Sequence, residues 1–266
     1  MSLIESGEKI KRIKTSIEGF DDQLEGGVPE GYVCLVAGMS GTMKSSVAFN
    51  IIYNSVVEGR NALYLSLEQS STSLLNHLIA MGFDLSKVNV VVLSDVTKVD
   101  KAVDALKAAK GSLIITDLGA IRKELGDIKS MSADADWMNA IKNLLKQLKN
   151  NGVLDIFVLD SLSAMYSLTR MENPRTELFH VFEFFRDLQI TAFLVAEMFG
   201  DDQKFAEYGV EDYLSDGIFH LAMVREGRKV RRELRVVKLR ATNCNMDVFI
   251  LDYKDNRFRA LTKLPY

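Results

Sequence analysis

The sequence predicts an α/β fold: a mainly parallel sheet flanked by helices, with an antiparallel β extension near the C-terminal end. Three observations predict it. Short apolar runs at 32–37, 61–67, 88–93, 111–117, 154–161 and 191–196 read as buried strands, and helix-periodic or capped runs alternate with them. From 216 to 260 the pattern changes to strands separated by short turns. The 266 residues are 47% hydrophobic, enough for one large domain with a full core.

Residues 1–14 are charged and mixed, and read as an arm or a short edge strand. A short helix over 17–24 and a glycine-rich turn over 26–31 lead into the first buried strand. After it come Gly38-Met39-Ser40-Gly41-Thr42-Met43-Lys44-Ser45-Ser46 and a helix ending near Glu58-Gly59, where glycine suits a C-terminal cap. The strand at 61–67 is expected beside this first strand and delivers Glu68 and Gln69. A helix over 71–81 stops at Gly82. A strand at 88–93, a lysine-decorated helix over 95–110 and a strand at 111–117 follow, then an irregular polar stretch over 120–131. An amphipathic helix over 134–150 carries Trp137, Ile141, Leu144, Leu145 and Leu148 on one side. The strand at 154–161 ends in Asp160-Ser161. Pro174 opens a helix to Leu188, and the strand at 191–196 ends at Glu197. An acid- and glycine-rich loop spans 199–210. Strands at 217–225, 230–239, 248–253 and 257–260 complete the pattern.

The net charge of −3 argues against coating nucleic acid by charge alone. Cys34 and Cys244 form no pair motif, and His77, His180 and His220 lack metal-ligand spacing. There is no signal peptide and no run of 18 apolar residues, so a cytoplasmic protein without membrane contact is expected.

The stretch from Gly38 to Ser46 nearly spells G-x-x-x-x-G-K-[ST] between a strand and a helix. In such a loop the backbone N–H groups and the helix N-terminus hold phosphates, the lysine reaches phosphate oxygens, and the hydroxyl, here Ser45, holds Mg²⁺. Met43 stands where the second glycine belongs. If Gly41 takes one left-handed slot, Met43 takes the next, at roughly 1–2 kcal/mol for a residue with a Cβ. Asp160, at the end of a buried strand, is the candidate second metal ligand, with Asp117 as a decoy of similar context. Glu68 is the candidate for orienting the attacking water, against the alternative that it caps the next helix. Glu197 is a weaker candidate. The basic stretch 225–240 puts Lys238 and Arg240 on one strand face, either for a phosphate or as a solvated strand edge.

These stretches together resemble the KaiC-like branch of the RecA/RadA ATPase superfamily. The resemblance runs from about Ile13 to about Asp252. It rests on Thr15-Ser16-Ile17-Glu18-Gly19-Phe20-Asp21, Leu67-Glu68-Gln69-Ser70, Leu159-Asp160-Ser161, Arg175-Thr176-Glu177-Leu178-Phe179, Leu214-Ser215-Asp216-Gly217 and Val237-Lys238-Leu239-Arg240-Ala241-Thr242, in family order. It implies one RecA-like P-loop NTPase domain over 1–266 that binds ATP with Mg²⁺, with an oligomeric ring in which nucleotide sits between neighbours. It also implies that Glu68 acts on water, and that Lys238 and Arg240 reach the γ-phosphate of the adjacent subunit. The interval from Lys44 to Asp160 is longer than the resemblance implies, so 95–130 reads as an insertion. The leading expectation is a slow ATPase whose nucleotide state controls assembly or binding of a protein partner. A DNA-binding recombinase paralogue is one alternative, suggested by the basic hairpin and an expected loop at 165–175. A non-hydrolysing sensor or scaffold is the other, suggested by Met43 and by Gln69 in place of a second acid.

Overall fold

The computed structural model describes residues 10–124, 137–169, 171–199 and 204–262. Ten strands form one sheet in the order β12-β11-β10-β9-β3-β8-β7-β4-β6-β5. The parallel part contains β3 (Val33–Gly38), β4 (Asn61–Ser66), β5 (Asn89–Val92), β6 (Ser112–Asp117), β7 (Ile156–Asp160) and β8 (Thr191–Glu197). β9 (Gly217–Glu226) joins it in parallel to β3. It then turns antiparallel into β10 (Lys229–Leu239), β11 (Phe249–Lys254) and β12 (Arg257–Thr262). A separate ribbon pairs β1 (Arg12–Ile13) with β2 (Val28–Pro29), which accounts for the short strand expected before residue 14.

Alternation along the strands divides the core into two layers. Val33, Leu35, Ala37, Leu63 and Leu65 face one side, with α3 (Val99–Ala108), α4 (Leu118–Glu124), α5 (Trp137–Asn150), α6 (Leu162–Leu168) and α7 (Pro174–Asp187). Cys34, Val36, Ala62 and Tyr64 face the other, with α1 (Lys44–Val57) and α2 (Ser71–Ala80). Because helices cover both faces, the central strands are apolar throughout, which is why they read as continuous runs.

Four expectations change. β4 does not lie beside β3: β8 and β7 stand between them. Only Asp21–Leu24 of the expected 17–24 helix forms, as a 3-10 turn. The Asp21 carboxylate accepts hydrogen bonds from the Thr15 and Ser16 backbone, and Gly19 has φ 81, so an earlier helical start is blocked. Part of the stretch expected to be irregular, Leu118–Glu124, is helical, with Asp117 accepting from Ala120 N in its first turn; 125–136 lie outside the described residues. Of the expected 165–175 loop, 165–168 belong to α6, which Ser161 caps by accepting from Ala164 N, and 174–175 open α7; a shorter non-helical stretch remains at 169 and 171–173, and Arg170 lies outside the described residues. Residues 95–124 contribute α3, β6 and α4 to the same layered sheet. No helix among the described residues is long and apolar enough to cross a membrane.

Phe20 fastens the N-terminal segment to the extension. It is fully buried, edge-on to Phe219 and Phe249 at centroid distances of 6.1 and 5.6 Å. Phe20→Ala should therefore cost about 3–5 kcal/mol, read as a shift of the urea midpoint at unchanged slope.

Candidate nucleotide-binding site

β3 ends at Gly38, and α1 begins at Lys44 after a tight turn. A Cβ on Gly38 would lie 2.3 Å from the Leu221 carbonyl oxygen, so only glycine lets β9 approach this closely. Gly41 has φ 84 and Met43 has φ 73, so both slots expected to be left-handed are left-handed. Met43 takes the N-cap position without a capping side-chain hydrogen bond, and its side chain packs partly against the core layer below. The loop is braced from within. Buried Thr42 donates through Oγ1 to the Met39 carbonyl at 2.8 Å, and Lys44 Nζ donates to the same oxygen at 2.9 Å. With no side chain capping α1, its leading N–H groups remain for an anion.

A cavity of about 700 Å³ opens over this turn. Ser40, Gly41, Met43, Lys44, Ser45 and Ser46 line it, together with Glu68, Gln69, Asp160 and Ser161. Gly38 and Thr42 lie beneath and shape the turn. The volume suits a nucleotide-sized ligand. Lys44 is 6% exposed, and its ammonium pairs with Glu197 Oε2 at 2.7 Å, so a bound phosphate would share or replace this counter-ion.

Asp160 is buried, and Tyr64 donates its hydroxyl to Oδ2 at 2.5 Å. Burial raises the Asp160 pKa, while hydrogen bonds from Tyr64 and Ser45 oppose the rise and the Glu68 charge adds to it. Burial also pushes the Tyr64 hydroxyl well up, helped by the adjacent Asp160 charge, so Tyr64 stays a donor. One carboxylate beside one hydroxyl is the sparse oxygen set that suits Mg²⁺, which keeps waters and substrate phosphates as its other ligands. Among the described residues no group of three or more His, Cys, Asp or Glu could hold a metal by itself.

Glu68 is exposed at the cavity, and its Oε1 accepts a hydrogen bond from Ser161 Oγ. It does not cap α2. Ser70 caps it by accepting from Ser73 N, and Asp117 Oδ2 accepts from Ser71 N and Oγ at 2.7 and 2.9 Å. Asp117 is thus committed to structure. Burial works to raise its pKa, yet hydrogen bonds from Ser71 and from the first turn of α4 outweigh that and leave it below the usual carboxylate value.

Lys238 and Arg240 do not join this cavity. Lys238 reaches carbonyls of α8 (Glu211–Leu214) and of Ser215, and Arg240 reaches the Tyr213 carbonyl and Asp216, at the opposite end of the sheet from the turn. The cation that β10 does bring to the cavity is Arg232, whose Nε donates to the Gly41 carbonyl at 3.3 Å. Sequence reasoning passed over it among the many basic residues of 225–240. Its even-numbered position was available as a signal, but not which face of β10 covers the turn.

A parallel sheet carrying a phosphate loop after one central strand, a metal-ready acid on another and an antiparallel extension at its edge defines a RecA-like P-loop nucleotide-binding fold. The sequence profile described as "ATPase: KaiC" matches residues 13–261, so the chain belongs to the KaiC ATPase family. It is similar to the circadian clock oscillator protein KaiC of Thermostichus vulcanus, 26% identical over 240 residues, which is 90% of this chain and 42% of that protein. The protein of the same name from Synechococcus elongatus is 27% identical over 240 residues, covering 89% of this chain and 41% of that protein. The chain therefore spans less than half the length of these relatives. The crystal structure of a KaiC-like protein from Pyrococcus horikoshii superposes with a TM-score of 0.72 at 22% identity, covering 96% of this chain and all of that one, and shows the shared fold. Membership of the family makes this an ATP-binding domain of the RecA/KaiC type, which typically works with Mg²⁺.

Two measurements follow from this geometry. At position 43 the usual order of small residues should invert: Met43→Gly should be more stable than Met43→Ala by about 1 kcal/mol, because only alanine pays for the left-handed backbone, as read from thermal unfolding. At Asp160 the folded carboxyl binds its proton more tightly than the unfolded one, so its contribution to stability declines as pH rises through the ordinary carboxylate range towards the raised value. Asp160→Asn should thus melt higher than the parent at neutral pH and lose that advantage in acid, while its Mg²⁺-dependent nucleotide affinity falls.

Proposed function

We propose that this chain is a slow Mg²⁺-dependent ATPase whose nucleotide state controls assembly into a homo-oligomer or capture of a protein partner. The observation that carries this reading is the convergence of the left-handed loop, uncapped α1, the Ser45–Asp160 pair and Glu68 on one cavity. In this reading the loop N–H groups and Lys44 bind the phosphates, and Arg232 adds positive charge from β10. Ser45 and Asp160 would hold Mg²⁺, which supplies charge neutralisation between the phosphates. Glu68, held by Ser161, orients water at the γ-phosphate and takes up its proton. The Arg240 backbone is level with Val33, the first residue of β3, Lys238 turns its ammonium towards Ser215 and away from the loop, and the loop begins at the strand's last residue. The strand rises about 17 Å between the two, at ~3.3 Å per residue. In this reading the pair serves the nucleotide of another copy; its distance from its own loop supports that.

Isothermal titration with Mg-ATP tests the first half, and phosphate release the second. The parent should bind, Lys44→Ala should not, and Glu68→Gln should bind while turnover drops about 10²–10⁴-fold. A folded parent that gives no heat would remove the proposal. Unchanged phosphate release in Glu68→Gln would leave a nucleotide sensor in its place.

A further inference from the structure

We infer that the outer edge of β5 is a self-association surface. Two copies of this chain pair their β5 strands antiparallel about a twofold axis at Val91, without need of nucleotide, and so join their sheets. The inference is independent of the proposed ATPase reading, and concerns the end of the sheet farthest from β12.

The two ends of the sheet are finished differently. At one end β12 carries Arg257 and Arg259, and Glu18 covers its edge. Glu18 N donates to the Phe258 carbonyl at 3.0 Å, and Ala260 N donates to the Glu18 carbonyl at 2.8 Å. Charge and cover both protect a sheet edge from pairing with another chain. β5, at the other end, has neither. Among the described residues no segment pairs with its outer side. From Val88 to Ser94 the chain holds no charged residue, no proline and no glycine. Leu93 N donates to the Ile115 carbonyl at 2.8 Å, and the Leu93 carbonyl accepts from Thr116 Oγ1 at 2.8 Å, so odd-numbered residues turn their backbone groups to β6. Val90 and Val92 therefore turn their N–H and C=O groups outwards. The free edge ends at Ser94, whose carbonyl accepts from Lys123 Nζ at 2.7 Å.

The sequence along this edge is complementary to itself. Setting Lys87-Val88-Asn89-Val90-Val91-Val92-Leu93-Ser94-Asp95 against a reversed copy, with Val91 on the axis, places Val90 opposite Val92 and Lys87 opposite Asp95. Val90 and Val92 both have outward backbone groups, so each such pair exchanges both of its hydrogen bonds. Centring on Val90 or Val92 keeps the backbone pairing but puts Lys87 opposite Leu93 or Thr97, and the charge pair is lost. Lys87 and Asp95 hold local pairs with Asp84 (3.5 Å) and Lys98 (2.8 Å), which as surface pairs are weak ties. The side chains agree with the same register. Val88 and Val90 lie against the core layer of α1 and α2, and Val92, on that face by alternation, is 44% exposed. In the dimer Val92 lies beside Val90 of the second copy and is drawn out of water. The contact is isologous, so it closes at two copies. A four-residue strand makes a small contact, so the dimer is reversible.

The test is sedimentation velocity of the full chain without nucleotide, over a range of concentrations. The parent should form a reversible dimer. Lys44→Ala, which in the proposed reading binds no nucleotide, should form it equally. Val92→Lys alters an exposed side chain and charges the edge, so it should leave the chain monomeric at the parental melting temperature. Lys87→Glu sets acid against acid on both sides of the axis, and Asp95→Lys sets ammonium against ammonium. Each alone should weaken the dimer at least about tenfold. Mixed in equal amounts the two variants should recover it, because the mixed dimer has an opposite-charge pair on each side. Asp95 also caps the 3-10 turn at Val96–Lys98 by accepting from Thr97 N. If Asp95→Lys does not fold, Val92→Lys decides. Four results would each overturn the inference: a parent that stays monomeric at its highest soluble concentration, a dimer that forms only with nucleotide, a dimer unmoved by Val92→Lys, or a mixture of the folded charge variants no more dimeric than its parts.

Discussion

The main chain must reverse between β3 and α1 within a few residues while keeping its N–H groups turned inward, and the rest of the site depends on how it does so. Gly38 gives the close approach to β9, and Gly41 and Met43 give the two left-handed steps. Only the last carries a cost, because Met43 has a Cβ. Two features offset that cost locally. The Met43 side chain is partly buried against the α1 layer, and the turn is tied internally by Thr42 and Lys44 to a single carbonyl, that of Met39. The backbone outcome is thus that of the glycine pattern, reached through packing and hydrogen bonds instead of conformational freedom.

Around this turn the parallel sheet acts as an aligning device. Register pairs Gly38 with Glu197 and Ser66 with both Asp160 and Asp117, so every parallel strand in these pairs ends on one edge. Acids at that edge acquire different roles from their neighbours. Asp160 is enclosed beside Ser45 and Tyr64, Glu197 balances Lys44, Asp117 caps two helices, and Glu68 stays exposed on Ser161. Four carboxylates in similar sequence settings are therefore not interchangeable, and electrostatics at the edge separates candidate metal ligand, counter-ion, cap and candidate base.

Much of this was legible in the residues, and the failures have physical causes. Strand and helix existence followed from apolar runs, because a sheet covered on both faces leaves no polar alternation to confuse the reading. The left-handed slot at Met43 followed from loop geometry alone. Strand order did not follow: periodicity reports which residues are buried, not which strand lies beside which, and so β4 was expected next to β3. The part of Arg232 was hidden for a related reason. Leu234 and Val236 are buried, and then the register of β10 shifts between Val236 and Lys238, after which Leu239 is the buried one. Simple alternation would put Arg232 and Lys238 on the same face; the irregularity separates them, one towards the loop and the other towards α8. No count of basic residues contains that phase change.

The two ends of β3 then carry the two halves of the proposed chemistry. Its first residue is locked to Asp216, which holds Arg240, and its last residue opens the loop that holds Lys44. The strand between is fully buried and paired on both sides, with β8 and with β9. Such an element does not stretch or slide, because interior packing resists small displacements. The spacing between the arginine and its own loop is therefore fixed by the strand. In the proposed reading, a cation set at that fixed remove from its own loop serves the phosphates held by a second copy.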